Sequence, residues 1–244
     1  MKYLLKFSYD GSNYYGFQKQ PNKNTIQEQL EEALKKVNNN IATPIVATGR
    51  TDAGVHALAQ YGHVVLNIDI TPKKLKRALN SNLPEDIHII EAKEVANDFH
   101  ARYNVKSKEY QYIINIGEYN PLERNYVFQY NHELNLNKMK EALKYFLGQH
   151  DFRAFVTENK EKENCVRTIT KATIKTIDNK IYLNFKGDGF LKHQVRNMVG
   201  LLIRIGENKI EPKEIINILE SKDRSKTGKT AKACGLYLIN VEYN

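Results

Sequence analysis

Cysteine is scarce in this chain: Cys165 and Cys234 are the only two in 244 residues. Two thiols so far apart build neither a disulfide framework nor a zinc-ligand pattern, and a reducing compartment is expected. Long apolar runs are missing as well, none approaching the ~20 residues that a bilayer span needs. The opening MKYLLKFSYD has a lysine inside its apolar stretch, unlike a signal peptide. The expectation is a soluble, cytoplasmic protein with no membrane partner. Acidic residues are outnumbered, 28 Asp and Glu against 37 Lys and Arg, for a formal charge of +9. That excess suits a polyanionic partner, because each neutralised phosphate releases counterions. It suits many ordinary soluble proteins too. The length allows one large domain or two modest ones, with a full hydrophobic core.

Several site signatures are also absent. TGKT (227–230) looks like the end of a phosphate loop, but the glycine that motif needs five residues before Gly228 is replaced by Asp223. The paired cysteines of the zinc deaminases are missing, and no second carboxylate or His stands at metal-ligand spacing from Asp52. FKGDGF (185–190) has glycine and Asp where the aromatic RNA-recognition signature wants stacking residues. Neither cofactor nor metal is expected.

What is present is a doubled pattern. Tyr3, Leu5, Phe7 and Tyr9 alternate as one strand face. TIQEQLEEALKKV follows as a helix whose Thr25 and Glu28 fit a capping box. PIVATG and QYGHVVLNI read as strands, TPKKLKRALNSNL as a helix with Thr71 as cap and Pro72 at its first position, and DIHIIEAKEV as a strand. The second half repeats the order. EYQYIINI is a strand, NKMKEALKYFLG a helix ending at Gly148, and RTITKATIKTI with KIYLNFKG a hairpin around DN. GFLKHQVRNMVGLLIRIG is then a long apolar helix, EPKEIINILES a second one from Pro212, and GLYLINVEY the last strand. The fold class is therefore α+β: two ferredoxin-like βαββαβ halves, 1–103 and 104–244, joined into a mostly antiparallel sheet with helices on one side and a central cleft. Sheets of this kind commonly read single-stranded bases.

Four places carry polar residues of interest. ATGRTDAGVHALAQ (47–60) sets Asp52 between two glycines, either as a turn former or as a carboxylate on a shaped loop. Arg196 interrupts the most apolar helix; it either snorkels to solvent or meets a carboxylate in a cleft. Tyr110 and Tyr112 share a strand face, where core packing is the default. FHAR (99–102) lies at the junction of the halves.

Together these segments resemble the TruA-type tRNA pseudouridine synthases nearly end to end. The matching motifs are YDGSNYYGFQKQ (9–20), GRTDAGVHA (49–57), FHARYNVKSKEYQY (99–112), GQHDFRAF (148–155), GDGFLKHQVRNMVG (187–200) and CGLYL (234–238). The resemblance implies that Asp52 is the catalytic aspartate, that Tyr110 lies against the target base and that Arg196 pairs with the aspartate. It further implies that Leu236 flanks the uracil and that Arg50, His56 and Arg102 serve substrate binding. The implied reaction cuts the bond from uracil N1 to C1′, rotates the flipped base and rejoins it through C5, without oxidant or energy input. The implied partners are tRNA, modified at positions 38 to 40 of the anticodon arm, and a second copy of the chain in a homodimer; no DNA is expected. The chain departs from the family at Lys108, at Gln194 and in TAKACGLYL, and its basic segment SKDRSKTGKTAK (221–232) is where altered backbone contacts are expected. Two alternatives remain: a paralogue acting on another site or RNA, and an RNA-binding module of the same fold without catalysis.

Overall fold

The structure is a computed structural model describing residues 1–157 and 164–243. The chain forms two compact units, Met1–Lys106 with Tyr237–Asn244, and Ser107–Leu236. In chain order the elements are β1 (Lys2–Tyr9), α1 (Ile26–Val37), β2 (Val46–Ala47), β3 (His56–Val65), α2 (Pro72–Asn80) and β4 (Ile87–Glu94). There follow β5 (Val105–Asn115), β6 (Phe128–Gln129), α3 (Leu136–Leu143), β7 (Gly148–Asp151), β8 (Val166–Ile177), β9 (Lys180–Gly187), α4 (Gln194–Gly206), α5 (Glu214–Ser221) and β10 (Leu236–Tyr243). The α+β class holds, and Tyr237–Tyr243 of β10 belong to the first unit.

In the first unit β1 runs antiparallel to both β3 and β4. Tyr3, Leu5 and Phe7 are fully buried and Tyr9 nearly so, with alternation clean from Leu5 to Tyr9 and Leu4 buried as well. α1 buries the stripe Ile26, Leu30, Ala33 and Leu34, and α2 buries Leu75 and Leu79, as helices with one apolar face must be covered. Thr25 accepts the Glu28 N–H at 3.4 Å, a cap worth about 1 kcal/mol. Pro72 opens α2 as its sequence position predicts, but Thr71 makes no side-chain cap bond. The strand expected over 44–49 shrinks to β2, two residues long. Pro44 has no N–H for the ladder, and after Ala47 the chain turns away into the Asp52 loop. β1 covers one edge of β3, so the other edge is shared: β2 takes Gly62 and His63, while β10 pairs in parallel with His56 and Ala57.

His63 on β3 is a buried histidine whose Nδ1 accepts the Ala101 N–H at 3.1 Å. Burial, then the charges of Lys2 and His100, hold its pKa down at about 4. An unfolded histidine titrates near 6.5. Between these values the unfolded chain binds a proton that the folded chain refuses, so stability falls as pH falls from about 6.5 to about 4. Urea unfolding at pH 7.5 and 4.5 should show His63→Gln losing about 1 to 2 kcal/mol less than the native chain over that interval, after allowing for solvent screening at a site near the surface.

In the second unit the order is β5-β9-β8-β7, all antiparallel, with β6 parallel to β5. The β8–β9 hairpin turns at Asp178, which adopts φ 50 as a tight hairpin turn requires. The core gathers Tyr112, Ile114, Leu183 and Phe185 from the sheet, Met198, Leu201, Leu202 and Ile205 from α4, and Phe146, Phe152 and Phe155, all fully buried. Each contributes roughly 1.5–3 kcal/mol of apolar burial. α4 starts at Gln194, later than the apolar run from Gly189 predicts, because His193 is left-handed at φ 62. The Gln194 side chain folds back to accept the Leu191 N–H at 2.8 Å, which fixes that bend. α5 begins at Glu214, with Pro212 two residues ahead. α3 ends at Leu143, and one 3-10 turn carries the chain on to Gly148, whose φ of 95 opens the extra strand β7. Both cysteines belong to this unit and are free thiols. Among the described residues no helix is long and apolar enough to cross a membrane.

Candidate functional site

Asp52 does sit in a turn. Its carbonyl accepts the Val55 N–H at 3.2 Å, and Gly54 takes φ 75 between them, a conformation glycine adopts freely. The turn reading and the carboxylate reading are thus compatible, since a backbone hydrogen bond closes the turn. Asp52 is half-buried and Arg50 exposed, while Thr51 between them is buried.

The loop is held from below at nearly every residue. Thr48 gives its N–H and its hydroxyl to the Tyr61 carbonyl, at 2.9 and 3.0 Å. Gln60, fully buried, donates to the Gly49 carbonyl at 3.1 Å. The Thr51 hydroxyl bonds the Tyr9 hydroxyl at 2.8 Å, and its carbonyl accepts the Phe17 N–H at 3.0 Å. Burial drives the Tyr9 pKa far up, so its phenol stays neutral. Gly11 lies so close that a Cβ there would stand 2.1 Å from the Val55 carbonyl oxygen. The segment 9–17 is the bed of the Asp52 loop, and Tyr14 ties that bed to Asp86 at 2.5 Å.

His56, where the loop enters β3, is 2% exposed. Its Nδ1 lies 3.1 Å from the Gly11 N–H and also 3.1 Å from Asp10 Oδ1. One nitrogen cannot accept from the first and donate to the second, so these contacts belong to different protonation states. Its ring stacks on Tyr237 at 4.8 Å. Arg102 is exposed on a turn after β4. The Tyr243 hydroxyl lies 2.6 Å from the Thr48 hydroxyl and 2.9 Å from the Ala101 carbonyl, so the start of the Asp52 loop and the turn carrying Arg102 meet at one phenol. Burial pushes that phenol up to about 12. Arg50, Asp52, His56 and Arg102 are thereby brought onto one connected framework in the first unit.

The second unit gathers the other residues. Tyr112 and Ile114 are core, but Tyr110, on the same face, is only half-buried at the end of the row. Its ring meets Phe190 edge-on at 5.2 Å. Arg196, half-buried on α4, donates through Nε to the Ala231 carbonyl at 2.9 Å, and Ala231 returns its N–H to the Arg196 carbonyl at 3.1 Å. The Tyr112 hydroxyl donates to the Lys232 carbonyl at 2.6 Å. Segment 231–235 thus binds β5 to α4 and delivers Leu236, which is 5% exposed.

The rest of the basic segment is built rather than loose. Arg224 donates to Thr227 and Thr230 hydroxyls, the Gly228 carbonyl and Asn197 Oδ1, at 2.6 to 2.9 Å. Both threonines of TGKT are therefore spent internally, a physical reason to set the phosphate-loop reading aside. Lys222, Lys226, Lys229 and Lys232 remain exposed. Sequence reasoning missed Tyr9, Gln60, Arg224 and Tyr243 as supports; only Tyr9 and Gly11 had a signal, as part of YDGSNYYGFQKQ. Among the described residues no group of three His, Cys, Asp or Glu is arranged to hold a metal.

Comparison with known proteins supplies the family. The family model described as tRNA pseudouridine synthase matches residues 6–104 and 142–244. A protein named tRNA pseudouridine synthase A from Limosilactobacillus reuteri is 43% identical, covering 99% of this chain and 96% of that one. tRNA pseudouridine synthase A 2 from Clostridium perfringens is 47% identical over 98% of both chains. A Streptococcus mutans protein of the first name is 42% identical over 100% of this chain and 99% of its own. With the family model spanning most of both halves and these identities running end to end, this chain belongs to the tRNA pseudouridine synthase family of isomerases.

Proposed function

We propose that this chain isomerises uridine to pseudouridine at positions 38 to 40 of the tRNA anticodon arm, as a cytoplasmic homodimer. Asp52 is the catalytic carboxylate, acting at the junction of sugar and base. Arg196 pairs with it, and a guanidinium beside a carboxylate favours the ionised form and orients it. Tyr110 and Leu236 flank the extracted uracil, Tyr110 with a hydroxyl fit to move a proton. Arg50 and Arg102 meet phosphates, and His56, being buried, serves the substrate through the loop it holds. The base must leave its stack first, at a few kcal/mol. The observation that carries the reading is a half-buried aspartate on a turn fixed residue by residue, in a chain of this family.

The test is tritium release from tRNA labelled at uridine C5, because that proton leaves when the new bond forms. A tRNA with uridines at 38, 39 and 40 should release label; the same tRNA with those uridines replaced by cytidine should not. Equal release from both would move the reaction to another site. Silence from every tRNA would favour the non-catalytic RNA binder.

A further inference from the structure

No described aromatic is more exposed than Tyr103, at 78%. It is nonetheless fixed. Its ring lies on His100, centroids 4.2 Å apart and planes at 25°, and His100 meets buried His63 edge-on at 4.9 Å. The stack thus rises from the core to solvent and leaves the outer face of Tyr103 bare. The backbone beneath is equally held: Tyr103 and Asn104 give their N–H groups to the His100 carbonyl at 3.1 and 3.0 Å, and the His100 N–H goes to Asn104 Oδ1 at 2.6 Å. Arg102 donates its N–H to His100 Nδ1 at 3.2 Å, and its side chain is exposed, as is Lys106. Asp98 is the one acid in 98–106.

A ring held rigid with one face open, beside exposed cations, has the makings of a platform for an unstacked base. A protein partner would more often bury such a ring in an apolar surround, whereas this one sits among polar and basic neighbours. Its distance from the chemistry is set by Tyr243, which links this turn to the start of the Asp52 loop. We propose that Tyr103, backed by His100, stacks on an unpaired nucleobase of the tRNA while Arg102 holds an adjacent phosphate. The proposal rests on the reading that this chain acts on tRNA.

Binding and turnover of tRNA are measured separately for Tyr103→Ala, Tyr103→Phe and Arg102→Ala. Tyr103→Ala should weaken tRNA binding and raise KM about 10-fold, within the range of one lost base stack, with kcat within about twofold. Tyr103→Phe keeps the ring and should recover the binding. Arg102→Ala should lower the salt dependence of log Kd by about one, whereas Tyr103→Ala should leave it unchanged. Unchanged binding in Tyr103→Ala overturns the proposal, as does a loss equal in Tyr103→Phe, which would make the hydroxyl the contact. A shift of the free Tyr103→Ala protein from dimer to monomer in sedimentation also overturns it, since the ring would then be a protein contact. Tyr103-dependent binding by a native chain that releases no tritium would refute the catalytic reading and leave the platform standing.

Discussion

Asp52→Asn should abolish tritium release, lowering kcat by about 10³-fold or more, while tRNA binding stays within about threefold. The two side chains have nearly the same size, so what is removed is charge and proton affinity. The turn survives, because Val55 bonds the Asp52 carbonyl and the loop's other ties run through Thr48, Gly49 and Thr51. Asparagine is also at home at the first position of a turn, so thermal stability should change by less than about 0.5 kcal/mol. Asp52→Glu is the sharper variant. It keeps the charge but moves the carboxylate by roughly 1 Å, a misplacement worth about 10² in rate. Single-turnover kinetics on saturating tRNA read both directly. If Asp52→Asn kept a tenth of the native rate, the aspartate would be no more than a turn former.

Local period and turn chemistry made much of the fold legible. Tyr3, Leu5, Phe7 and Tyr9 declare their strand by alternation, and the α1 stripe declares its helix by spacing, because each signal lies within a dozen residues. The errors fall where a local signal met a distant constraint. The apolar run before α4 continues the helical pattern, yet left-handed His193 and the folded-back Gln194 stop it. β2 is cut short because the chain turns away after Ala47 into a loop that distant Tyr9 holds through Thr51. The site divides in the same way. Asp52 between its glycines and Arg196 in an apolar helix were visible locally, each with a bland reading beside the sharp one; their roles, and that of Arg50, came from the resemblance of whole motifs. Their supports were not visible, since Tyr9 reaches across 42 residues to Thr51 and Tyr243 across 195 to Thr48. A tyrosine in a strand looks like core packing, and only the fold reveals what its hydroxyl holds.

Gly200→Ala, though far from Asp52 in sequence, should be the most damaging single-methyl change in the second unit. A Cβ at Gly200 would stand 2.0 Å from the Lys229 carbonyl oxygen and 3.2 Å from its carbon. Both obstacles are backbone, so no side-chain rotation relieves them; either α4 shifts or segment 229–231 lifts. The helix is the harder to move, being buried along almost its whole length. Lifting the segment breaks the paired Arg196–Ala231 bonds and the 2.7 Å bond from the Thr230 hydroxyl to Asn197. Arg224 then loses the shape that its four donors fit. Overpacking together with these losses should lower stability by about 2 to 4 kcal/mol. Because Ala231 fixes the Arg196 side chain, kcat should also fall, by about 10-fold or more, at temperatures where the variant remains folded. Gly189→Ala provides the contrast: its Cβ would meet only the movable Arg167 side chain, at 3.4 Å, and stability should stay within about 0.5 kcal/mol. Denaturant unfolding and single-turnover rates on the two variants separate the effects. A destabilised Gly200→Ala with native kcat would mean that Arg196 keeps its place without Ala231, and that segment 229–232 serves the fold rather than the site.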